Sequence, residues 1–221
     1  LGDLSLPEFS RTMTSMSKWV AGGDKPENCN YCHEGNNFAS DALYTKRVAR
    51  VMLSMTQHAN QDWKAHVGDT GVTCYTCHRG NPVPAYAWTT NPGYKHASGM
   101  AAAGQNVGGV ATVANTSLPW DPLTTYLLHD TNIRVQSTAA LPSGSERNVK
   151  DTEATYGLMT YVSDSLGVNC TYCHNTRAFG NWTQSPPTRL KAWTAIRHVR
   201  DINNTYIGSV ADILPANRKG P

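Results

Sequence analysis

The stretch Cys29-Asn-Tyr-Cys32-His33 decides how this chain is interpreted, because the same five-residue unit occurs three times. The other copies are Cys74-Tyr-Thr-Cys77-His78 and Cys170-Thr-Tyr-Cys173-His174, so the three units contain all six cysteines. Two thiols three residues apart on a helical turn can reach both vinyl groups of one porphyrin, and the adjacent imidazole can bind its iron. The spacing therefore predicts three covalently bound c-type haems, with the six cysteines as attachment points and His33, His78 and His174 as axial ligands.

Two other uses of paired cysteines fit the pattern less well. A histidine directly after the second thiol is badly placed to join both thiols on one tetrahedral zinc ion, and the spacings differ from those of zinc fingers. A thioredoxin-type redox pair needs no histidine there and would require a strand-to-helix setting that the sequence lacks. Haem attachment explains the histidine as well as the thiols.

Composition favours a core that is built partly from cofactor. Of 221 residues, 39% are hydrophobic and three are Phe, a thin supply for a side-chain core of this size. The formal charge of +3 is offset by haem propionates, and no run of Lys and Arg typical of nucleic-acid binding occurs. No stretch approaches the roughly 18 apolar residues of a membrane span. We expect no nucleic-acid partner and no membrane-spanning segment.

Helical periodicity predicts a mainly α fold with extensive irregular loops. The predicted helices are 7–21, 41–58, 151–166 and 187–206, with Asp41 as candidate cap of the second and Gly167 ending the third. Between them, 82–148 is rich in Gly, Ala, Thr, Asn and Pro, which predicts connecting loops with at most a short strand pair.

An internal repeat organises the chain. Gly71-Val-Thr-Cys-Tyr-Thr-Cys-His78 recurs as Gly167-Val-Asn-Cys-Thr-Tyr-Cys-His174. We expect helix–turn–motif repeats with pseudo-twofold internal repetition. The predicted segments are 1–85 with two haems, 86–150 as a connecting segment, and 151–221 with one further motif.

The second axial ligand decides between an electron carrier and a catalyst, because a thioether closes the iron and raises its potential whereas an open face admits substrate. Met16, Met52 and Met159 each lie on the helix before a motif. A single helical methionine more often fills a core, but three in the same setting favour ligation. Met13 and Met55 lie three residues from Met16 and Met52, and spacing alone does not choose between neighbours.

Several phrases are more specific than the motifs themselves. They are Glu8-Phe-Ser-Arg-Thr-Met-Thr-Ser-Met16, Val48-Ala-Arg-Val-Met52-Leu-Ser-Met55, Thr70-Gly-Val-Thr-Cys-Tyr-Thr-Cys-His-Arg-Gly80, Ser163-Asp-Ser-Leu-Gly-Val-Asn-Cys170 and Ile196-Arg-His-Val-Arg-Asp-Ile202-Asn203. With these phrases, nearly the whole chain resembles the multihaem cytochrome c subunit of purple-bacterial photosynthetic reaction centres.

The resemblance implies an electron-transfer protein and not an enzyme. It makes Met16, Met52 and Met159 the axial ligands of the first, second and third haems. It implies transfer from a soluble periplasmic cytochrome c or high-potential iron–sulfur protein to the photo-oxidised bacteriochlorophyll pair of the L and M subunits. The implied location is periplasmic and peripheral to the inner photosynthetic membrane, with contact through the complex or an N-terminal lipid anchor.

The chain also departs from the family pattern. Its central loop is shorter, His198 stands where a methionine is usual, and no fourth motif precedes Pro221. In relatives with four haems the last haem lies between two histidines, and His66 matches its distal ligand. We expect the chain to continue past Pro221 and His66 to ligate a fourth haem attached there. The rival is a natural three-haem protein in which His66 is free.

Two other functions remain open at this point. One is a free multihaem electron carrier without a pigment partner, and the other is a multihaem reductase with an open haem site. Arg189, at the start of the last predicted helix, is expected either to pair with a haem propionate or to be a solvated first-turn residue.

Overall fold

A computed structural model of the chain describes residues 1–22, 26–84, 121–136 and 147–216. The chain divides into two compact units. The first comprises Leu1–Thr89 and Asp201–Pro221, and the second comprises Thr90–Arg200. The first two motifs belong to the first unit and the third motif belongs to the second.

Helices and turns account for the regular structure of the described residues, whose single bridge pairs Glu34 with Asn37. A mainly α fold without a sheet is therefore confirmed for this part of the chain. The α-helices are α1 (Leu6–Val20), α2 (Tyr44–Asp62), α3 (Lys64–Val67), α4 (Cys74–His78), α5 (Val149–Leu166) and α6 (Thr188–Asp201); short 3₁₀ segments lie at Pro26–Tyr31, Cys170–Tyr172 and Gly208–Val210, and π-helical segments at Thr124–Leu128 and Ile202–Ile207.

Helix ends follow local capping chemistry. Ser5 precedes α1, and its backbone N–H donates to the Glu8 carboxylate at 2.9 Å, which satisfies a donor that the helix cannot. Before α5, the Asn148 side chain accepts the Asp151 N–H at 3.1 Å. Gly167 ends α5 in the left-handed conformation with φ of 65°, where glycine is favoured. The predicted extents of both helices are confirmed.

Helix α2 begins later than the sequence indicated. Its N-cap is Leu43, without a side-chain cap, and Asp41 lies two residues further upstream. The Asp41 carboxylate instead accepts a hydrogen bond from Arg50 at 3.1 Å and pairs with Lys46 at 3.3 Å. The prediction of Asp41 as cap was wrong, because two cations inside the helix bind its carboxylate.

Few apolar side chains are buried in the first unit. Helix α4 packs against α1 and α2, and α2 also packs against α3 and against Ile202–Ile207. Among the described residues of this unit, the buried apolar side chains are those of Ala59 and Val210, and neither α1 nor α4 contributes a buried residue. The helices therefore meet without a dense side-chain core.

The second unit has a compact side-chain core. Buried Leu123, Tyr126 and Leu127 come from the segment that was expected to form connecting loops, and they join Leu158 of α5 and Ile196 of α6. Over 124–128 that expectation was wrong, because a short apolar run forms a π-helical turn. No strand occurs in 82–84, 121–136 or 147–148, the described parts of the segment for which a short strand pair was predicted, and the rest of that segment lies outside the described residues.

None of the helices within the described ranges combines the length and the hydropathy that crossing a bilayer requires.

Candidate functional site

Each motif forms a single helical turn that places its two thiols and its imidazole together. In the first motif the His33 N–H donates to Cys29 O at 2.9 Å, and in the third the His174 N–H donates to Cys170 O at the same distance. The second motif is the whole of α4. All six thiols are free and lie at half-buried or exposed positions. This is the arrangement that two-point attachment of a planar group requires.

Three of the six thiols are in surroundings that do not activate them. Burial raises the pKa of Cys32, Cys74 and Cys77 above the ordinary value of 9.0. A redox-active pair or a zinc site needs thiolates, which depend on a lowered pKa. In addition, no cluster of three or more His, Cys, Asp or Glu side chains that could bind a metal occurs within the described ranges. The raised pKa values at the first two motifs therefore disfavour a redox-active pair there, in agreement with the spacing.

Two of the motif imidazoles are oriented by backbone carbonyls. Nδ1 of His78 lies 2.9 Å from Asn81 O, and Nδ1 of His174 lies 3.2 Å from Phe179 O. Such a bond places the proton on Nδ1 and leaves Nε2 as the ligand atom, the usual arrangement of metal-binding histidine. Burial also lowers the pKa of His174, which favours the neutral form that binds metal. The second and third motifs therefore fit a haem iron.

The first motif holds its imidazole differently. Within the described part of the chain, Nδ1 of His33 is buried and has no hydrogen-bond partner. The ring lies against the Phe38 ring, with centroids 5.1 Å apart. The first motif therefore has the thiol spacing of the others but no backbone tether for its histidine.

The N-terminal turn of α2 is hydrogen-bonded to the first motif and to the loop that follows it. The Thr45 hydroxyl donates to Tyr31 O, inside the Cys–X–X–Cys turn. The next residue, Lys46, donates from Nζ to Phe38 O at 2.7 Å and to Ser40 O at 2.8 Å. The start of this helix therefore fixes the motif turn and the loop that follows it.

The third motif is held by the corresponding turn of α6. The Thr188 hydroxyl donates to Tyr172 O, and Arg189 Nη1 donates to Asn181 O at 3.1 Å and to the Ser185 hydroxyl at 2.7 Å. The guanidinium carbon of Arg189 lies 4.1 Å from the centre of the Trp182 ring. Arg189 is therefore packed into the loop after the motif and is not a freely solvated residue; its contact with a propionate stays a prediction.

Asn60 of α2 positions the entry to the second motif. Its amide donates to Val72 O at 2.9 Å and accepts from the Val72 N–H at 2.6 Å, as a paired peptide would. A Cβ on Gly71 would lie 2.5 Å from Asn60 Oδ1, so this close approach requires glycine. The Gly71 in the repeated phrase thus makes room for a side chain that holds the chain just before Cys74.

The structure places the three methionines that were predicted as ligands on the expected helices. Met16, Met52 and Met159 lie half-buried on α1, α2 and α5, respectively, and His66 lies half-buried on α3. Helices α1 and α2 both pack against α4, which brings the helices of Met16 and Met52 to the second motif. His198 is buried in α6 with 4% of its surface exposed.

Sequence reasoning missed the residues that support the motifs. These are Thr45, Lys46, Asn60 and Thr188, none of which belongs to a motif. A signal existed for Asn60, because asparagine is a poor helix former inside a helix and bonds readily to neighbouring backbone. Lys46 gave no such signal, since lysine on a helix is ordinarily solvated.

Comparisons with known proteins agree with this geometry. The family model described as photosynthetic reaction centre cytochrome C subunit matches residues 1–221. The chain is similar to the photosynthetic reaction center cytochrome c subunits of Thermochromatium tepidum (58% identical over 221 residues), Rubrivivax gelatinosus (50% over 224) and Roseobacter denitrificans (40% over 235), each match covering 100% of this chain. It spans 54%, 60% and 62% of the lengths of those relatives, respectively.

The match over every residue agrees with three thiol pairs that are each followed by an imidazole, and with the backbone tethers of His78 and His174. A cytochrome c of this kind implies covalent c-type haem, which the residues described above can hold. The chain belongs to the photosynthetic reaction centre cytochrome c subunit family.

Proposed function

We propose that this chain is a periplasmic electron-transfer subunit of a photosynthetic reaction centre, peripheral to the inner membrane. It takes electrons one at a time from a soluble cytochrome c or high-potential iron–sulfur protein and re-reduces the photo-oxidised bacteriochlorophyll pair of the L and M subunits. The observation that carries the proposal is the family match over the whole chain, joined to motifs whose histidines are oriented for metal binding.

At each site, different residues of the chain would attach the porphyrin and bind the iron. The thioethers would be formed by Cys29 and Cys32, by Cys74 and Cys77, and by Cys170 and Cys173. The adjacent histidines would bind the iron, His78 and His174 through Nε2. When bound, the haem supplies one-electron chemistry by changing between ferric and ferrous states. We propose that Met16, Met52 and Met159 would bind the iron of the first, second and third haems, since a thioether ligand would favour the ferrous state and exclude substrate.

Four finer assignments follow from the sequence pattern and from the resemblance. His66 ligates a fourth haem whose cysteines are not among the six of this chain. The motifs belong to helix–turn–motif repeats with pseudo-twofold repetition, which the Thr45 and Thr188 contacts support. The haem-binding segments are 1–85 and 151–221, joined by 86–150. Contact with the membrane occurs through the complex or through a lipid anchor.

Flash excitation of photosynthetic membranes that contain the full-length subunit tests the electron-transfer role. The absorbance of the oxidised pigment pair is expected to recover rapidly through the subunit. In a variant with Cys170→Ser and Cys173→Ser, the third haem is lost and rapid recovery should disappear. Intact mass of both proteins counts the haems and also tests the fourth one. A native subunit that purifies as a monomer without pigment protein, or that binds carbon monoxide at an open iron, would argue against this function.

Redox titration of neighbouring methionine variants tests the second-haem ligand. Met52→His is expected to lower the potential of the haem at Cys74 and Cys77, because histidine stabilises the ferrous state less than a thioether does. Met55→Leu, three residues away on the same helix, is the matched control and should leave that potential nearly unchanged. The reverse result would assign the ligand to Met55.

A further inference from the structure

Lys46 is a buried cation whose protons are all engaged next to the first motif. Only 8% of its surface is exposed. Nζ donates to Phe38 O and Ser40 O and pairs with Asp41 at 3.3 Å, so the three donors of the ammonium group have three acceptors. A buried charge is costly unless it is bound in this way. The loop after the first motif is therefore organised around one side chain.

The loop that Lys46 binds carries the contact that restrains His33. Among the described residues, Nδ1 of His33 lacks a hydrogen-bond partner, whereas His78 and His174 are tethered to carbonyls. The imidazole of His33 instead lies against the Phe38 ring, with the ring centroids 5.1 Å apart and the planes tilted by 59°. Because Lys46 fixes the carbonyl of this same Phe38, displacement of the ammonium group would free the ring that limits the motion of the imidazole.

The charge of Lys46 is also held in place next to the motif. Its ammonium group is bonded to two backbone carbonyls of the loop that follows His33. A positive charge fixed at this place favours the more electron-rich state of a redox group bound at the motif. Geometry and charge therefore point to the same side chain.

We propose that Lys46 is a positioning residue for the first haem site: it fixes the Phe38–Ser40 backbone, thereby orients His33, and raises the potential of the haem at Cys29 and Cys32. The inference rests on the proposed function, because it concerns a haem bound at the first motif. It assigns to a helix residue 13 positions after His33 a role that the motif itself does not reveal.

Three substitutions of Lys46 separate its charge from its hydrogen bonds. Lys46→Arg keeps both, Lys46→Gln keeps donors without the charge, and Lys46→Met removes both. The matched control is Arg47→Met, which removes the same charge from the neighbouring exposed position. Each full-length haem-loaded subunit is titrated optically for potential and examined by electron paramagnetic resonance for ligand orientation. Cys29→Ser identifies the first haem, because losing one thioether leaves a conjugated vinyl group and moves its absorption band to longer wavelength.

Lys46→Met is expected to lower the reduction equilibrium constant of the first haem about tenfold, or about 59 mV for one electron, and to change its resonance spectrum. Lys46→Gln should lower the potential while leaving the spectrum nearly native, and Lys46→Arg should change neither. Arg47→Met should shift the constant less than about twofold.

A Lys46→Met protein that keeps its first haem but shifts no more than Arg47→Met overturns the inference, even if it is less stable. Should Lys46→Met fail to mature, an unchanged potential in Lys46→Gln overturns it equally. The mass of the wild-type subunit separates this failure from a wider one: absence of haem on Cys29 and Cys32 would overturn the proposed function together with the inference.

Discussion

The first and third motifs share a spacing and a support but differ in how they hold the histidine. In both, a threonine at the start of the following helix donates to the tyrosine carbonyl inside the motif turn, and a phenylalanine five residues after the histidine lies against its ring, with centroids 5.1 and 5.2 Å apart. Among the described residues, Nδ1 of His174 lies at hydrogen-bond distance from a backbone carbonyl, whereas Nδ1 of His33 has no partner.

The five-residue motif brings the thiols and the histidine together in both cases, but the two imidazole rings differ in their hydrogen bonding. The loop after the motif supplies the contacts of the ring, and the residue after the threonine bonds to that loop. In the first motif that residue is Lys46, and the carbonyl of Phe38 accepts a hydrogen bond from its ammonium group instead of from the imidazole. In the third it is Arg189, which binds Asn181 O and leaves Phe179 O for His174.

The comparison extends to the other ends of the two supporting helices. His58 follows Thr45 by 13 residues, and Asp201 follows Thr188 by 13. Within the first unit these two side chains bind each other, with His58 Nε2 2.6 Å from Asp201 Oδ2. One residue before Asp201, Arg200 binds within the second unit to Tyr126 O at 2.6 Å and Thr131 O at 2.9 Å. Each helix is thus anchored at both ends.

Arg200→Met should have the largest effect on this arrangement. It removes a buried guanidinium that satisfies two backbone carbonyls, and hydrogen bonds to charged groups contribute about 1.5–3 kcal/mol each. We expect a loss of about 3 kcal/mol, measured by urea unfolding of the haem-loaded subunit followed by circular dichroism. Arg197→Met, at an exposed position of the same helix, should change stability by less than about 0.5 kcal/mol. Equal losses in the two variants would contradict an anchor at Arg200.

His58→Leu should weaken the first unit by about 2 kcal/mol at pH 6. It removes hydrogen bonds to Asp201 and Asp62, both at 2.6 Å, and leaves Asp201 with Trp63 at 2.6 Å and Thr205 at 2.9 Å. The measurement is urea unfolding of the haem-loaded subunit between pH 4 and pH 9. His129→Leu, an exposed histidine, is the control and should change stability little at any pH.

The pH dependence of this loss has a definite sign. The hydrogen bond to Asp201 raises the pKa of His58 above its ordinary 6.5, although burial opposes it. Its contribution is therefore complete below pH 6.5 and is lost as the pH rises through the raised value. Burial works against ionisation of Asp201, but hydrogen bonds from His58, Trp63 and Thr205 hold its pKa below 3.8, so its contribution disappears only in acid. A loss that grows with pH above 6.5 would contradict this pairing.

Much of the fold could be predicted because local chemistry determines it. The expected 7–21 is observed as Leu6–Val20, and 151–166 as Val149–Leu166, since caps and glycines mark those ends. The start of α2 could not be predicted, because Asp41 has a side chain suited to an N-cap. Its ion pairs with Lys46 and Arg50 form only in the folded chain. The π-helical turn at Thr124–Leu128 could not be predicted either, because the segment around it has the composition of a loop.

The clustering of thiols and histidine in each motif could be predicted from the sequence, whereas the residues that support the motifs could not. Motif spacing gives the thiols and histidines directly, since neighbours on one turn must lie together. The side chains that hold the motifs act over distance along the chain: Thr45 lies 14 residues from Tyr31, and Thr188 lies 16 residues from Tyr172. Nothing in the identity of a lysine or threonine signals that its partner is a carbonyl in a loop not yet folded.

Exchanging each phenylalanine for leucine should have the smallest effect and sharpens the comparison most. Phe38→Leu removes the ring that restrains His33, whereas Phe179→Leu leaves the backbone carbonyl that tethers His174. Aromatic contacts of this kind contribute about 1 kcal/mol, which is about a fivefold change in an equilibrium constant. We expect the potential of the first haem to shift by that amount and that of the third by clearly less, as measured by redox titration of both variants. Equal shifts would mean that the rings, and not the backbone tether, orient the histidine in both motifs; a larger shift for the third would make the Phe179 ring the main restraint there.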